Sequence, residues 1–151
     1  MRIDEVIVES SAAPIYYFAY GMLTDPEYMG AADLVGAAEL HNFNFEMLLY
    51  ANVVPESGSR VWGSLWSIDR QLLSQLDSIE GYPTLYDRKT VPVFVDGEKY
   101  VAEIYTMTPE TRGELKHTQP SSGYIERIAR GYRHAGIQLD QLTQALGKYK
   151  L

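Results

Sequence analysis

The order of the regular elements is the feature that most constrains this fold. Patterns typical of strands occupy the first two thirds of the chain, and patterns typical of helices occupy the last third. Parallel strands need a crossover connection, usually a helix, after each strand, and no such alternation is found here. The sequence therefore predicts an α+β fold. Its 151 residues are enough for one domain with one sizeable hydrophobic core.

Local patterns place several elements along the chain. Residues 14–20 are an aromatic run that predicts a buried strand, and Asp96-Gly97 between two β-rich runs predicts a hairpin. The clearest pattern is an amphipathic helix over residues 70–80, capped by Asp69 and ended by Gly81. We expect this helix to bury the four residues that share its apolar face: Leu72, Leu73, Leu76 and Ile79.

The remaining segments are assigned from weaker signals. Residues 33–50 predict one or two strands, and residues 61–68 predict another. Helices are expected from Ser121 to Ala135 and around the final leucines, whereas two polar stretches are interpreted as irregular: residues 52–60 and 109–119. We interpret residues 1–13 as a loosely held N-terminal leader and residues 14–151 as a single domain.

Charge and cysteine content exclude several classes of protein. The net charge is −7 without a basic stripe, which argues against nucleic-acid binding and against attraction to an anionic membrane surface. No run of 18 apolar residues and no signal-peptide pattern is found, so a cytoplasmic protein without a membrane anchor is predicted. The chain has no cysteine, which excludes disulfides, a thiolate nucleophile and cysteine-ligated metals. These properties make no prediction of an oligomeric state.

Glu80 is the first candidate for chemistry. It lies in the last turn of the expected helix, where the negative end of the helix dipole disfavours a carboxylate. Asp77, three residues earlier on nearly the same face, adds like-charge repulsion. We expect both effects to raise the pKa of one carboxyl toward neutrality, as a general base requires. The alternative is a solvated acidic helix end.

Two other positions are candidates for ligand binding. Gly21 directly after the aromatic strand lets the backbone turn and expose successive amides, although an ordinary tight turn gives the same pattern. Tyr124 near the start of a helix can present a hydroxyl, or can simply pack in the core. The three histidines are far apart in sequence and lack metal-ligand spacing, so no metal site is predicted.

Three segments, in order, resemble the γ-glutamylcyclotransferase family, which includes AIG2-like proteins. The motif YYFAYGML at residues 16–23 resembles that family's YFAYGSNL motif. The segment VWGSLWSIDRQLLSQLDSIEGYPTLYDR at residues 61–88 resembles its strand, helix and LDxxEG motif. The segment QPSSGYIERIARGYRHAGI at residues 119–137 resembles its PSxxY segment and the following helix. One departure is clear, because Met22 replaces the usual Ser, and Leu23-Thr24 replaces the usual Asn-Leu.

The resemblance implies a fold and an activity. The implied fold is a small mixed β-barrel with flanking helices. The implied activity is cyclisation of a γ-glutamyl amide or dipeptide to 5-oxoproline, with release of an amine or amino acid and no cofactor. Glu80 matches the family's acid/base glutamate and Tyr124 its PSxxY tyrosine. The substrate-binding loop maps to six residues: Tyr20, Gly21, Met22, Leu23, Thr24 and Asp25.

Two functional hypotheses follow. In the first, the chain is a γ-glutamylcyclotransferase-like enzyme in which Glu80 deprotonates the attacking amine and then protonates the leaving nitrogen. Because the attack is intramolecular, proximity supplies much of the rate and no Ser or Cys nucleophile is needed. In the second, the same scaffold is a non-catalytic module that binds a small ligand or another protein.

Overall fold

Five strands form a closed barrel. The computed structural model describes residues 13–30 and 32–147 of the chain. The strands are β1 (Ile15–Ala19), β2 (Asp33–Met47), β3 (Ala51–Ile68), β4 (Tyr86–Val95) and β5 (Glu98–Met107). They are hydrogen-bonded in the order β1-β3-β2-β4-β5, and the barrel closes between β5 and β1. This closing pair is parallel and the other neighbours are antiparallel. The mixed barrel implied by the resemblance is therefore confirmed.

The two long hairpins show where the strand patterns succeeded and where they failed. Asp96 and Gly97 have φ values of 50° and 83°, and they connect β4 to β5 as the Asp-Gly pair predicts. The prediction of a loop over residues 52–60 was wrong, because these residues belong to β3. Their polar composition reflects a bulge, since residues 56–59 lie opposite Asn42 in the β2–β3 ladder. The Gly58 N–H donates to Oδ1 of Asn42 at 3.0 Å.

Four helices flank the barrel: α1 (Arg70–Glu80), α2 (Pro109–Leu115), α3 (Ser122–Ala135) and α4 (Asp140–Leu146). The predicted span of α1 is confirmed, with Asp69 accepting from the Leu72 N–H and Gly81 in the left-handed conformation. The prediction that residues 109–119 are irregular was wrong for residues 109–115, which form α2, and is confirmed for residues 116–119, which lie outside any helix or strand. The Thr108 side chain caps α2, and the proline that follows it suits the first turn of a helix.

The core has two parts on opposite faces of β1. One cluster contains residues from all five strands together with Ile128 and Tyr132 of α3, so it fills the barrel. The other cluster lies under α1 and includes Tyr17 from β1 with Leu73 and Leu76 from the helix.

Among the described residues, no helix is long and apolar enough to cross a bilayer.

The last turn of α1 departs from the expected packing. Leu73 and Leu76 are buried and Leu72 is partly buried, but Ile79 is 60% exposed. The prediction that Ile79 packs inward was therefore wrong. At this end of α1 the side chains line a cavity instead of a packed core, and Glu80 is the residue that is partly buried.

Candidate active site

A cavity of about 320 Å³ lies where the end of α1, the segment after β1 and the first turn of α3 meet. The turn between β2 and β3 and the segment leading into β4 complete its walls. Its lining residues are Tyr17, Tyr20, Gly21, Met22, Leu23, Tyr50, Ala51, Ile79, Glu80, Leu85, Tyr86, Tyr105 and Tyr124. The structure thus brings Glu80, four residues of the predicted binding loop and Tyr124 to one cavity.

Glu80 is the one lining residue that carries a charge near neutral pH. Its side chain is partly buried, and its carboxyl has no hydrogen bond or ion pair within the described ranges. Burial raises the pKa of Glu80 to about 7, because a charged carboxylate loses hydration in the cavity. A carboxyl with this pKa is suited to accept and return a proton at neutral pH.

Asp77 does not raise the pKa of Glu80, although the sequence predicted that it would. Its carboxylate accepts hydrogen bonds from the Arg88 guanidinium at 2.5 Å and from the Tyr105 hydroxyl at 2.6 Å. The expectation that repulsion from Asp77 raises the pKa of Glu80 was therefore wrong. Loss of hydration is the cause, and the charge of Asp77 is balanced by Arg88.

The segment after β1 lines the cavity and contains backbone amides that have no acceptor among the described residues. Gly21 allows a close approach here, since a Cβ at this position would lie 3.0 Å from the Ala51 Cβ. The residues Met22–Thr24 form a short 3-10 turn, in which the amides of Thr24 and Asp25 are hydrogen-bonded. The amides of Met22 and Leu23 have no acceptor in the part of the chain that the structure describes.

Thr24 and Asp25 do not line the cavity, and they attach the segment to α3 instead. The Thr24 hydroxyl donates to the Gly21 carbonyl at 2.6 Å, and Arg130 binds the buried Asp25 carboxylate at 2.5 Å. Burial acts to raise the pKa of Asp25, but the hydrogen bonds from Arg130 and from the Glu27 N–H lower it overall. Gly131 permits this packing, because a Cβ there would lie 2.0 Å from Thr24 Oγ1.

Most tyrosine hydroxyls around the cavity are already engaged. The Tyr124 hydroxyl accepts from the Ala51 N–H at 2.9 Å, and the Tyr86 hydroxyl donates to the Ala51 carbonyl at 3.3 Å. The Tyr20 hydroxyl donates to the Tyr105 carbonyl. Tyr124 is therefore held against the β2–β3 turn, and its own proton remains available to a ligand.

Tyr17 differs from these tyrosines and was missed by the sequence analysis. It is only 4% exposed, yet its hydroxyl has no hydrogen-bond partner among the described residues. Burial, together with the negative charge of Glu80, raises the pKa of Tyr17 well above its usual value. Its hydroxyl therefore stays protonated and can serve as a hydrogen-bond donor. The aromatic run showed a buried strand, but it gave no sign of which tyrosine reaches the cavity.

A metal centre is not formed by the described residues, because no three of their His, Asp or Glu side chains lie close enough to share an ion. The residues that line the cavity bring one carboxyl, several tyrosine hydroxyls and backbone amides without acceptors in the described chain. This set can bind a small polar ligand and transfer a proton.

Comparison with known proteins places the chain in a family. Residues 17–126 match the family described as gamma-glutamyl cyclotransferase, AIG2-like. The protein named "Putative gamma-glutamylcyclotransferase MJ1514", from Methanocaldococcus jannaschii, is 26% identical over 110 residues, which are 66% of this chain and 89% of that protein.

Solved structures agree in fold. A structure titled "Gamma-glutamyl cyclotransferase" has a TM-score of 0.77 and 22% identity, covering 88% of this chain and 86% of the other. The human protein loc79017 has a TM-score of 0.76 and 23% identity, covering 87% of this chain and 86% of the other. Because the family match spans more than half of its length, this chain belongs to the gamma-glutamyl cyclotransferase, AIG2-like family.

Proposed function

We propose that this protein cyclises a γ-glutamyl amide or dipeptide to 5-oxoproline and releases the amine or amino acid. The observation that carries the proposal is Glu80, a partly buried carboxyl without a protein partner in the described ranges, whose pKa is raised to about 7. A group with this pKa exchanges protons readily at neutral pH, and it lies in the cavity that also presents the free amides. Family membership supports the same activity.

The glutamyl group is recognised mainly by residues of β1 and of the segment that follows it. The free amides of Met22 and Leu23 donate to its α-carboxylate, which suits the two backbone donors better than a neutral group. The Tyr17 hydroxyl donates to the oxygen of the γ-carbonyl, on which negative charge develops during attack. These contacts hold the α-amine and the γ-carbonyl within reach of Glu80.

The reaction then needs one proton acceptor that returns its proton. The Glu80 carboxylate takes a proton from the α-ammonium, and the freed amine forms a bond to the γ-carbon. The resulting tetrahedral centre collapses as the original C–N bond breaks, while protonated Glu80 donates to the leaving nitrogen. The ring nitrogen still carries two protons, so it gives one to the Glu80 carboxylate. Glu80 passes this proton to the released amine, which leaves as an ammonium, and Glu80 is again ionised. Attack within one molecule forms a five-membered ring, so holding the reacting atoms together replaces a protein nucleophile.

The experiment is an assay for 5-oxoproline with a panel of γ-glutamyl amides and dipeptides. Glu80→Gln retains the size of the side chain but cannot accept the proton, so we expect activity to fall by about 10²–10⁴-fold. Glu126→Gln is the matched control, because Glu126 is an exposed carboxylate on α3 outside the cavity lining. Equal rates for wild type and Glu80→Gln would remove Glu80 from the mechanism.

A binding module is the second candidate, and one observation favours it. Met22 and Leu23 bring apolar side chains to the segment that presents the free amides, so recognition there rests on the backbone alone. If the whole panel gives no 5-oxoproline while γ-glutamyl compounds still bind in calorimetry, the binding module is the better description.

A further inference from the structure

The mouth of the cavity has an exposed apolar rim. Tyr50, Ile79 and Leu85 line the cavity and are 45%, 60% and 51% exposed. They come from three separate segments: the β2–β3 turn, the end of α1 and the connection to β4. Only three other large apolar side chains are comparably exposed in the described part of the chain. A cluster of this kind at a cavity is typical of a surface that a ligand covers.

The rim has no positively charged side chain that could pair with an anionic ligand group. None of the residues that line the cavity is a lysine, arginine or histidine. Arg88 lies over the ring of Tyr82, two residues beyond Glu80, but its guanidinium is already paired with Asp77 at 2.5 Å and Glu103 at 3.1 Å. A negatively charged ligand group that packs on these apolar side chains would therefore lose part of its hydration without gaining an ion pair.

We propose that the leaving nitrogen of the substrate carries an uncharged, apolar substituent that packs on this rim; the inference rests on the proposed cyclisation. A cavity of about 320 Å³ is at the small end of ligand sites, so it holds the glutamyl group and leaves the amine portion at the mouth. Met22 and Leu23 are further apolar residues of the cavity lining. A γ-glutamyl amino acid would instead place a carboxylate against these side chains.

Matched substrates test this inference. The compounds γ-glutamyl-phenethylamide and γ-glutamyl-phenylalanine differ only by a carboxylate on the leaving group, and γ-glutamyl-ethylamide lacks the ring. We expect kcat/KM for the phenethylamide to exceed that for the phenylalanine compound by at least about tenfold, because a carboxylate is desolvated without a partner. We expect it to exceed that for the ethylamide by about tenfold, because the ring covers apolar surface.

A charge introduced at the rim gives the converse test. Ile79→Lys places a cation beside the leaving group, at a helix C-terminus that accepts a positive charge. We expect it to raise kcat/KM for γ-glutamyl-phenylalanine about two- to fivefold, the range of an exposed ion pair, and to lower that for the phenethylamide. Val101→Lys is the control, since Val101 is 56% exposed on β5 but outside the cavity lining. It should leave both values unchanged.

The outcomes separate this inference from the proposed activity. If γ-glutamyl-phenylalanine is cyclised as well as or better than the phenethylamide, the inference on the leaving group is overturned and the cyclisation stands. If no compound yields 5-oxoproline, the cyclisation fails, and calorimetric affinities of the same three compounds decide the inference. Tightest binding of the phenethylamide supports an apolar site, and equal or tighter binding of γ-glutamyl-phenylalanine overturns it.

Discussion

The two sides of segment 21–25 differ in how fully their polar groups are satisfied. Toward α3, the Thr24 hydroxyl and the Asp25 carboxylate are buried and hydrogen-bonded. Toward the cavity, the Met22 and Leu23 amides have no partner among the described residues, and the hydroxyl of Tyr17 on β1 has none either. The paired and buried Asp25 carboxylate therefore ties the segment to α3, whereas the amides of Met22 and Leu23 add no hydrogen bond within the described chain.

Asp25 of this segment and Glu80 of the cavity lining also differ, because their pKa values are shifted in opposite directions. The pKa of Asp25 is lowered overall, so its contribution to stability is present above the unfolded pKa and is lost as pH falls through the folded value. The pKa of Glu80 is raised to about 7, so stability is lost as pH rises from near 4.5 through 7. One carboxyl is ionised and paired with Arg130, whereas the other changes its protonation state near neutral pH.

The largest effect is expected where α3 meets the segment. In Gly131→Ala the new Cβ would lie 2.0 Å from Thr24 Oγ1 and 2.6 Å from the Asp25 amide nitrogen. Because one of these is a backbone atom that cannot swing aside, the helix or the segment must move. We expect the free energy of unfolding to fall by about 3 kcal/mol, the top of the usual range for overpacking, in urea titrations. Activity should fall with it, since the amides at the cavity are displaced.

Gly123→Ala is the matched control on the same helix. A Cβ at Gly123 meets no atom within 4 Å, so this change should leave stability unchanged or slightly higher. If Gly131→Ala were as stable and as active as Gly123→Ala, the packing against α3 would not be what positions the segment.

The second largest effect is expected for Glu80, whose ionisation makes the free energy of unfolding depend on pH. Gln cannot ionise, so Glu80→Gln removes the cost of a charged carboxylate in the cavity above pH 7. We expect the variant to be more stable than wild type by at most about 3 kcal/mol at pH 8, and equal to it at pH 4, as measured by urea unfolding at both pH values. A loss of stability at pH 8 would show instead that the carboxylate makes a stabilising hydrogen bond.

Short-range patterns were enough to predict much of the fold. The spacing of leucines between Asp69 and Gly81 gave α1 with its observed bounds, and Asp96-Gly97 gave the β4–β5 hairpin. Both depend on interactions between residues close in sequence. The closed barrel came from the resemblance, because pairing between β1 and β5 joins residues more than 80 positions apart.

Apart from α2, whose cap and first proline are local signals, several errors arose where long-range contacts override local patterns. Residues 52–60 are polar and contain Pro55, yet pairing with β2 makes them part of a strand. Asp77 is near Glu80 in sequence, but Arg88 and Tyr105 determine its surroundings. Likewise, the sequence placed six residues in one binding loop, whereas only Tyr20, Gly21, Met22 and Leu23 of them line the cavity.

The smallest of these effects is expected for Tyr17→Phe, which should lower kcat without lowering the free energy of unfolding. Tyr17→Phe removes only the hydroxyl, which has no partner among the described residues, so the variant should be as stable as wild type or more stable. If the hydroxyl donates to the carbonyl oxygen during attack, kcat should fall about ten- to hundredfold, as expected for a hydrogen bond to a charged group worth about 1.5–3 kcal/mol. Tyr16→Phe on the same strand is the control, since Tyr16 lies outside the cavity lining. An unchanged kcat for Tyr17→Phe would show that the Tyr17 hydroxyl does not donate to the carbonyl oxygen in the transition state.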